Sequence, residues 1–321
     1  MRVARQADHD GRMFAQVVRP PPRRRAARLA SLVLALAAGV VGLRYRDQIY
    51  RYATHLKGSP TETQAWRPLR GDDPVRLHLA VVGDVGDRGS RLRATARAID
   101  ELAAVQPIDG LVLAGDNVYP SGDPSRLPAT VFEPFGRLLR DAELYAVLGN
   151  HDVMDGNAEA QAAALGIPGL WWARHLDDVL LVGLDSSQAG DPDQRAWLER
   201  TLAGATERWR IVVLHHPPYS AGYQGSSREA REAFVPTFER HGVQLVISGH
   251  DHDYQRSVPI NGVTYVVTGG AAGTRRTGEE DFTAVSFSWH HFVELAVFDD
   301  RLVIRAVNQD RRVADQATIR P

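Results

Sequence analysis

The chain has 321 residues, of which 44% are hydrophobic and 24% are charged, and its formal net charge is −1. This length and composition suit one large globular domain with additional segments, and they are ample to bury a core. The near-zero net charge gives no global field that favours acidic partners, and we expect no nucleic-acid partner. The lack of cysteine excludes disulfides, iron–sulfur clusters and cysteine-ligated zinc.

Residues 1–28 are predicted to form a basic tail, because they contain eight arginines and two acidic residues. Residues 29–43 follow, and these 15 residues are apolar or small and carry no charge. Three interpretations compete for this run: a signal anchor, a cleaved signal peptide and a buried core helix. A core helix is disfavoured because the run has no polar face and lies outside the main domain.

The signal anchor is the interpretation that we favour for this run. A spanning helix needs roughly 20 apolar residues, but Arg28 and Arg44 can snorkel and Tyr45 can lie at the interface. A signal peptide fits the length, although no A-x-A cleavage site follows the run. The arginine excess places the amino terminus in the cytoplasm. We therefore expect a membrane-anchored protein with an extracytoplasmic main domain, or alternatively a protein secreted after cleavage, and a linker over residues 44–74.

The main domain is predicted over residues 75–310 and begins with a repeated pattern. Five short apolar runs, each of which predicts a buried strand, stop at a polar cluster that contains Asp, Asn or His. Helical spacing over residues 91–105 separates the first two runs. Sites in open α/β sheets lie beyond the carboxyl ends of the strands, so five such ends indicate one shared site. The runs are 76–82, 111–114, 144–148, 211–214 and 245–248.

The carboxyl-terminal part of the domain is predicted to be mainly β. Asn261-Gly262 separates two β-prone runs, 258–260 and 263–267, and this dipeptide is a strong signal for a two-residue hairpin. Residues 292–298 and 302–307 predict a second hairpin. A glycine-rich stretch, 269–273, is expected to be a flexible loop near the end of a strand.

The polar clusters supply seven side chains that can bind metal ions. Carboxylate, amide, imidazole and phenolate groups are ligands for borderline and hard cations such as iron, manganese and zinc. Seven ligands are too many for one tetrahedral ion and suit two ions that share a bridging carboxylate. The seven are Asp84, Asp116, Tyr119, Asn150, His215, His250 and His252.

The order of these motifs resembles the calcineurin-like metallophosphoesterase superfamily, and within it the purple acid phosphatases. Most of the superfamily has a histidine two residues after the first aspartate, where this chain has Gly86. The purple acid phosphatases lack that histidine and supply a tyrosine three residues after the bridging aspartate, where this chain has Tyr119. The motifs that carry the resemblance are Gly83-Asp84-Val85-Gly86, Gly115-Asp116-Asn117-Val118-Tyr119, Gly149-Asn150-His151-Asp152, His215-His216-Pro217-Pro218-Tyr219 and Gly249-His250-Asp251-His252.

The resemblance implies an α/β (α+β) fold, a four-layer αββα sandwich of two mixed β-sheets flanked by helices. It also implies two metal ions that share Asp116. A phenolate ligand favours a trivalent ion, so iron(III) is expected at metal 1, with iron, zinc or manganese as the divalent ion at metal 2. Metal 1 would also take Asp84, Tyr119 and His252, and metal 2 would take Asn150, His215 and His250.

The activity that the resemblance implies is hydrolysis of phosphate monoesters, of acid-phosphatase type, by attack of a metal-bound hydroxide on phosphorus. His151 is expected to contact the substrate or protonate the leaving group, and His216 and Tyr219 are further candidates for substrate contact. A phosphodiesterase or nucleotide hydrolase on the same dimetal site is the alternative. A membrane-tethered scaffold without activity is a further alternative. It predicts that at least one metal ligand is missing, whereas all seven positions hold a residue that can bind a metal ion. No protein partner is predicted.

Overall fold

The structure, a computed structural model, describes residues 58, 60, 62–69 and 73–321, together with the backbone of 2–7 and 13–18. The chain divides into two units, Met1–Tyr50 and Arg51–Pro321. In the first unit, strands Arg2–Ala7 (β1) and Met13–Val18 (β2) pair in antiparallel fashion. The predicted anchor at 29–43 lies outside the described residues. Within the described part of the chain, no helix combines the length and the apolar character needed to cross a membrane.

The second unit contains two mixed β-sheets and four α-helices among its described residues. The strands are Gln64–Ala65 (β3), Leu77–Val82 (β4), Gly110–Ala114 (β5), Glu143–Val147 (β6), Trp172–Leu176 (β7), Val179–Gly183 (β8), Trp209–Val213 (β9), Leu245–Ser248 (β10), Tyr254–Ser257 (β11), Thr264–Thr268 (β12), Thr283–Phe287 (β13), His291–Val297 (β14), Leu302–Asn308 (β15) and Arg312–Ile319 (β16). The helices are Ser90–Ala103 (α1), Ala158–Leu165 (α2), Pro192–Ala203 (α3) and Arg228–Arg240 (α4). Short helical turns are Pro124–Arg126, Pro128–Phe132, Leu138–Arg140, Met154–Gly156 and Ser186–Gln188.

Sheet I has the strand order β13-β11-β12-β10-β9-β8-β7, and sheet II has the order β3-β16-β15-β14-β4-β5-β6. Strands β4, β5 and β6 are parallel neighbours in sheet II. Strands β8, β9, β10 and β12 are parallel neighbours in sheet I. In each sheet, the loops that follow these parallel strands therefore lie on the same side, at the carboxyl ends of the strands.

The core explains why the strands read as continuous apolar runs. In β4, Val81 packs between the two sheets, whereas Val82 packs against helix α1 on the outer face of sheet II. Helices α3 and α4 cover the outer face of sheet I through residues such as Phe234. Successive side chains of a strand point to opposite faces, so a strand covered on both sides is apolar at every position. The layers succeed one another as helix, sheet, sheet and helix, and the predicted arrangement of two mixed sheets with flanking helices is confirmed.

Sheet II extends past both predicted bounds of the main domain. Strand β3 lies in the predicted linker and pairs with β16, which itself lies beyond residue 310. Strand β16 pairs with β15 along its length and buries Val313, so the sheet continues to Ile319. These strands are short or alternate with polar residues, which is why the apolar pattern did not reveal them.

The predicted hairpin at Asn261-Gly262 is present, but its first strand begins earlier than expected. Both turn residues have positive φ, 47° and 88°, as a two-residue hairpin turn requires. Only Ile260 and Val263 form a bridge beside the turn, and the longer pairing joins β11 to β12. Pro259 has no backbone N–H and cannot donate to a ladder at that position. The second predicted hairpin is confirmed as β14 and β15.

Asp315 ties sheet II to sheet I, and we expect its removal to destabilise the fold. It accepts hydrogen bonds from Tyr254 Oη at 2.7 Å and from Arg256 Nε and Nη2 at 2.7 and 3.0 Å. Asp315→Ala leaves the mostly buried Arg256 without its counter-charge, which costs about 3 kcal/mol. Urea unfolding should show this loss in the free energy of unfolding. The exposed Asp141 supplies the control, since Asp141→Ala should change the free energy of unfolding by less than about 0.5 kcal/mol. Equal losses of stability in the two variants would show that Asp315 does not tie the sheets together.

Candidate metal centre

Sharp backbone turns place the polar side chains where the strands of both sheets end. Asp84, Asp116 and His250 have positive φ values of 59°, 52° and 71°. Non-glycine residues rarely adopt this conformation, and it occurs most often at functional sites. Gly249 is required beside them, because a Cβ there would lie 2.7 Å from both Ala114 O and Asp84 Oδ2.

The first cluster consists of Asp84, Tyr119 and His252. The phenol Oη of Tyr119 lies 3.1 Å from Asp84 Oδ1 and 3.1 Å from His252 Nε2. His252 Nε2 lies 3.2 Å from the same Asp84 oxygen. The other oxygen of Asp84 accepts the backbone N–H of His250 at 2.9 Å, which fixes the carboxylate. Three potential ligand atoms thus converge on one point.

The second cluster is centred on His215. Its Nε2 lies 3.2 Å from Asn150 Oδ1, 3.2 Å from His250 Nδ1 and 3.4 Å from Asp116 Oδ1. The other ring nitrogen, Nδ1, donates to Ala114 O at 2.9 Å. A hydrogen bond of this kind sets ring orientation and directs Nε2 toward the site, as in metal-binding histidines. Ligand atoms of Asp84, Asp116 and His215 lie within 4.8 Å of one another, so Asp116 joins the two clusters.

The electrostatics of both clusters suit cations. Burial raises the pKa of Asp116, but the charge and hydrogen bond of His215 outweigh it and hold that pKa far below the ordinary value. Burial lowers the pKa of His215, yet the charge of Asp116 prevails and raises it to about 10. Burial, followed by the charges of Asp84 and Asp116, raises the pKa of the Tyr119 phenol far above 10. A bound cation would replace the protons that His215 and Tyr119 hold, which is how metal binding couples to protonation.

The donor set therefore fits two metal ions. Burial, reinforced by the charge of His215, lowers the pKa of His250 to about 2, and a neutral imidazole is the form that binds a metal. The ligands are oxygen and nitrogen atoms, which iron, manganese and zinc accept. All seven residues predicted as ligands belong to the two clusters.

Asp152, a motif residue with no predicted role, holds the two ligand-bearing loops together. It is fully buried and accepts five hydrogen bonds. Its Oδ2 accepts from Gly149 N, Asn117 N and Asn117 Nδ2 at 2.8, 3.0 and 2.9 Å. Its Oδ1 accepts from Val118 N and Gln161 Nε2, each at 3.0 Å. Burial raises the pKa of Asp152 to about 6, the charge of Asp116 adding to the effect.

Two of the three residues predicted to contact substrate lie beside the clusters. His151 donates its backbone N–H to Asp116 Oδ1 at 3.0 Å and packs edge-on against the Tyr119 ring at 4.8 Å. The His216 ring lies 4.5 Å from that of His250, and its Nδ1 is 2.9 Å from Ser186 Oγ. Ligand atoms of His216, His215 and His250 lie within 4.8 Å of one another, so His216 is also within reach of a metal.

The prediction that Tyr219 contacts the substrate is corrected here, because the structure places this residue away from the clusters. Its ring packs against Tyr265 at 4.6 Å and Phe282 at 5.4 Å. The guanidinium of Arg231 lies 4.3 Å from the centre of the same ring. Packing on three sides fixes this aromatic side chain in the apolar layer outside sheet I, and it does not line the pocket at the metal centre.

A pocket of about 320 Å³ opens above both clusters. Three of the residues around it, Pro120, Gln224 and Arg275, were not predicted from the sequence, and the last two lie in loops without a recognisable motif. The glycine-rich stretch that precedes Arg275 was the one indication of a loop there. The lining residues are Asp116, Tyr119, Pro120, Asn150, His151, Gln224, His250, His252 and Arg275.

Asp152→Asn should weaken metal binding by about 10- to 100-fold, the usual effect of changing a group that orients ligands. The asparagine amide would direct N–H groups at backbone donors that now face a carboxylate. Metal retained after dialysis against buffered metal measures the effect. Asp155→Asn changes an exposed carboxylate three residues away and should leave metal content unaltered. Equal metal content in the two variants would show that Asp152 does not support the ligands.

Comparisons with known proteins agree with this geometry. Over 247 residues the chain is 27% identical to purple acid phosphatase 17 of Arabidopsis thaliana, covering 66% of this chain and 72% of that protein. It is 29% identical to tartrate-resistant acid phosphatase type 5 of Mus musculus, covering 64% and 76% respectively. The solved structure of purple acid phosphatase PPD1 from yellow lupin superposes with a TM-score of 0.69 at 18% identity, covering 79% of this chain and 55% of that one.

The family assignment rests on a match to more than half of the sequence. The model of calcineurin-like phosphoesterases matches residues 77–254, which contain all five motifs and both clusters. The predicted family and the predicted class of enzyme, a metal-dependent phosphoric ester hydrolase, are thereby confirmed. The chain belongs to the calcineurin-like phosphoesterase family, in which its relatives are purple acid phosphatases.

Proposed function

We propose that the chain is a two-metal phosphomonoesterase of acid-phosphatase type. The observation that carries the proposal is the pair of ligand clusters joined through Asp116 at the floor of the pocket. Relatives named as acid phosphatases, at 27–29% identity, support this substrate class. Loops around a shared metal site select between monoesters and diesters, so a diesterase or nucleotide hydrolase is the competing assignment.

The first cluster would hold metal 1 and the second would hold metal 2, with Asp116 as the shared ligand. The Tyr119 phenol, as phenolate, is a hard anionic ligand that favours a trivalent ion. We therefore propose iron(III) at metal 1 and divalent iron, zinc or manganese at metal 2. Bound there, such a pair would activate water and offset charge on the phosphoryl oxygens. Asp84 contributes rigidity to this arrangement, because the His250 backbone N–H fixes its second oxygen.

His151 and His216 are the residues that we assign to the substrate. His151 Nδ1 donates to Pro120 O at 2.6 Å, so Nε2 is the atom that would pass a proton to the leaving oxygen. Ser186 Oγ accepts the backbone N–H of His216, which leaves its own hydrogen to donate to His216 Nδ1. With Ser186 donating to Nδ1, the neutral ring carries its proton on Nε2, which is the tautomer that we assign. His216 would then donate Nε2–H to a phosphoryl oxygen.

Rates on a monoester and a diester test the function directly. With both metals supplied, we expect phenyl phosphate to react at least tenfold faster than bis(4-nitrophenyl) phosphate, on a kcat/KM basis. Asp116→Asn should reduce the monoester rate by roughly 100-fold or more, because it removes the shared carboxylate and weakens the binding of both metal ions. Asp123→Asn, at an exposed position, is the control. Faster diester cleavage would favour the competing assignment, and inactivity on both esters would favour a non-catalytic scaffold.

The visible absorption spectrum tests the proposed iron and its ligand. Tyrosinate bound to iron(III) gives a charge-transfer band, so the iron-loaded, oxidised protein should be coloured. The band should disappear in Tyr119→Phe and persist in Tyr223→Phe, which alters a tyrosine outside both clusters. Metal analysis of all three proteins accompanies the spectra. A colourless protein that contains metal and hydrolyses phosphate esters would refute the iron–tyrosinate assignment while preserving the reaction class.

A further inference from the structure

Two loops, 220–225 and 273–278, border the mouth of the pocket, and we call them the mouth loops. A buried carboxylate anchors the first. Asp251 accepts from Ser220 Oγ at 2.5 Å, from Gln224 N at 2.7 Å and from Gly225 N at 3.2 Å. Asp251 lies between two proposed metal ligands in sequence, so this loop is fixed relative to the metal centre.

The second mouth loop is attached at two points. Arg275 N donates to His252 O at 2.7 Å, and Gly278 N donates to Ala221 O in the first mouth loop at 3.0 Å. The backbone of Arg275 is therefore hydrogen-bonded to a residue of the first cluster. A side chain on such an anchored segment has a defined position relative to the pocket.

Arg275 carries its charge at the mouth and not at the floor. The residue is exposed, and its guanidinium carbon lies 5.5 Å from the centre of the Tyr223 ring, which is itself 45% exposed. Asp116 at the floor is only 2% exposed. A guanidinium beside an aromatic face keeps its N–H edge available for an anion.

The charges around the pocket separate in the same way. Among the described residues that line it, Arg275 is the one lysine or arginine, and Asp116 is the one acidic residue. The phosphoryl group that is transferred must lie at the floor, where the ligand atoms converge. A group that contacts Arg275 therefore belongs to the outer part of the substrate, which is the leaving group. Arginine binds carboxylate and phosphate groups through paired N–H donors.

We infer that Arg275 selects phosphate monoesters whose leaving group carries a second negative charge. The inference rests on the proposed function, because it assigns the outer part of a substrate whose phosphoryl group is cleaved at the metal centre. It names Arg275 as a specificity-determining residue. Substrates of this class present a carboxylate or a second phosphate to the mouth loops.

Two esters that differ mainly in charge test the inference on the metal-loaded full chain. They are 4-carboxyphenyl phosphate and its neutral counterpart, 4-carbamoylphenyl phosphate. We expect the wild type to prefer the carboxylate ester by about tenfold in kcat/KM, mostly through KM, which is the size expected for one hydrogen bond to a charged group. Arg275→Gln should reduce this ratio to about one, and Arg275→Lys should retain part of it. Arg276→Gln alters the adjacent exposed arginine, which does not line the pocket, and should keep the wild-type ratio.

The outcomes distinguish failure of the role assigned to Arg275 from failure of the proposed phosphomonoesterase function. A ratio near one in the wild type, or a wild-type ratio that persists in Arg275→Gln, overturns the role of Arg275 while activity itself remains. Equal losses on both esters also overturn it, because they would place Arg275 at the transferred phosphoryl group or in the structure. Failure of the wild type to hydrolyse either ester refutes the proposed phosphomonoesterase instead.

Discussion

Two carboxylates, Asp84 and Asp116, are buried just beyond the carboxyl ends of strands β4 and β5, and the surrounding site is arranged around their charge. Removing a carboxylate from water costs several kcal/mol unless an opposite charge and hydrogen bonds offset it. Among the described residues, their ion pairs are with histidines 252 and 215 and not with lysine or arginine. A proton on His215 offsets part of this charge, and two metal ions would displace that proton and offset the charge in its place. The carboxylates are thus better explained as metal ligands than as parts of a structural salt bridge.

Holding these groups in place requires a backbone that few sequences adopt. Positive φ at three non-glycine ligand positions carries a cost of order 1–3 kcal/mol each. Asp152 offsets part of that cost through its five hydrogen bonds, and Gly149 allows close approach, since a Cβ there would lie 2.1 Å from Asp116 Oδ1. The loops therefore hold this conformation before a metal ion or substrate binds. Preorganised ligands and dipoles are the arrangement that favours catalysis, because little reorganisation remains at the moment of reaction.

The parts of the site that follow strands could be predicted from sequence, and the parts in loops could not. Asp84 and His215 follow apolar runs whose length and composition identify buried strands, so local sequence determines their position. Arg275 reaches the pocket through a hydrogen bond to His252, 23 residues earlier in the chain, and Gln224 through one to Asp251. Contacts of this kind between loops leave no periodic pattern. Tyr219 illustrates the opposite error, because proximity to His215 in sequence did not bring its ring to the pocket.

The same division between strand ends and loops explains how one site can be common to a family and still select its own substrate. The floor is built from side chains at strand ends, where the paired sheets resist displacement. The mouth is built from loops that hydrogen-bond to residues 251 and 252 and contribute no ligand of the two clusters. A change at Arg275 therefore alters the charge presented to the leaving group without altering the atoms that converge on the phosphoryl group. Reaction and specificity can vary independently in such a fold, because they depend on different parts of the backbone.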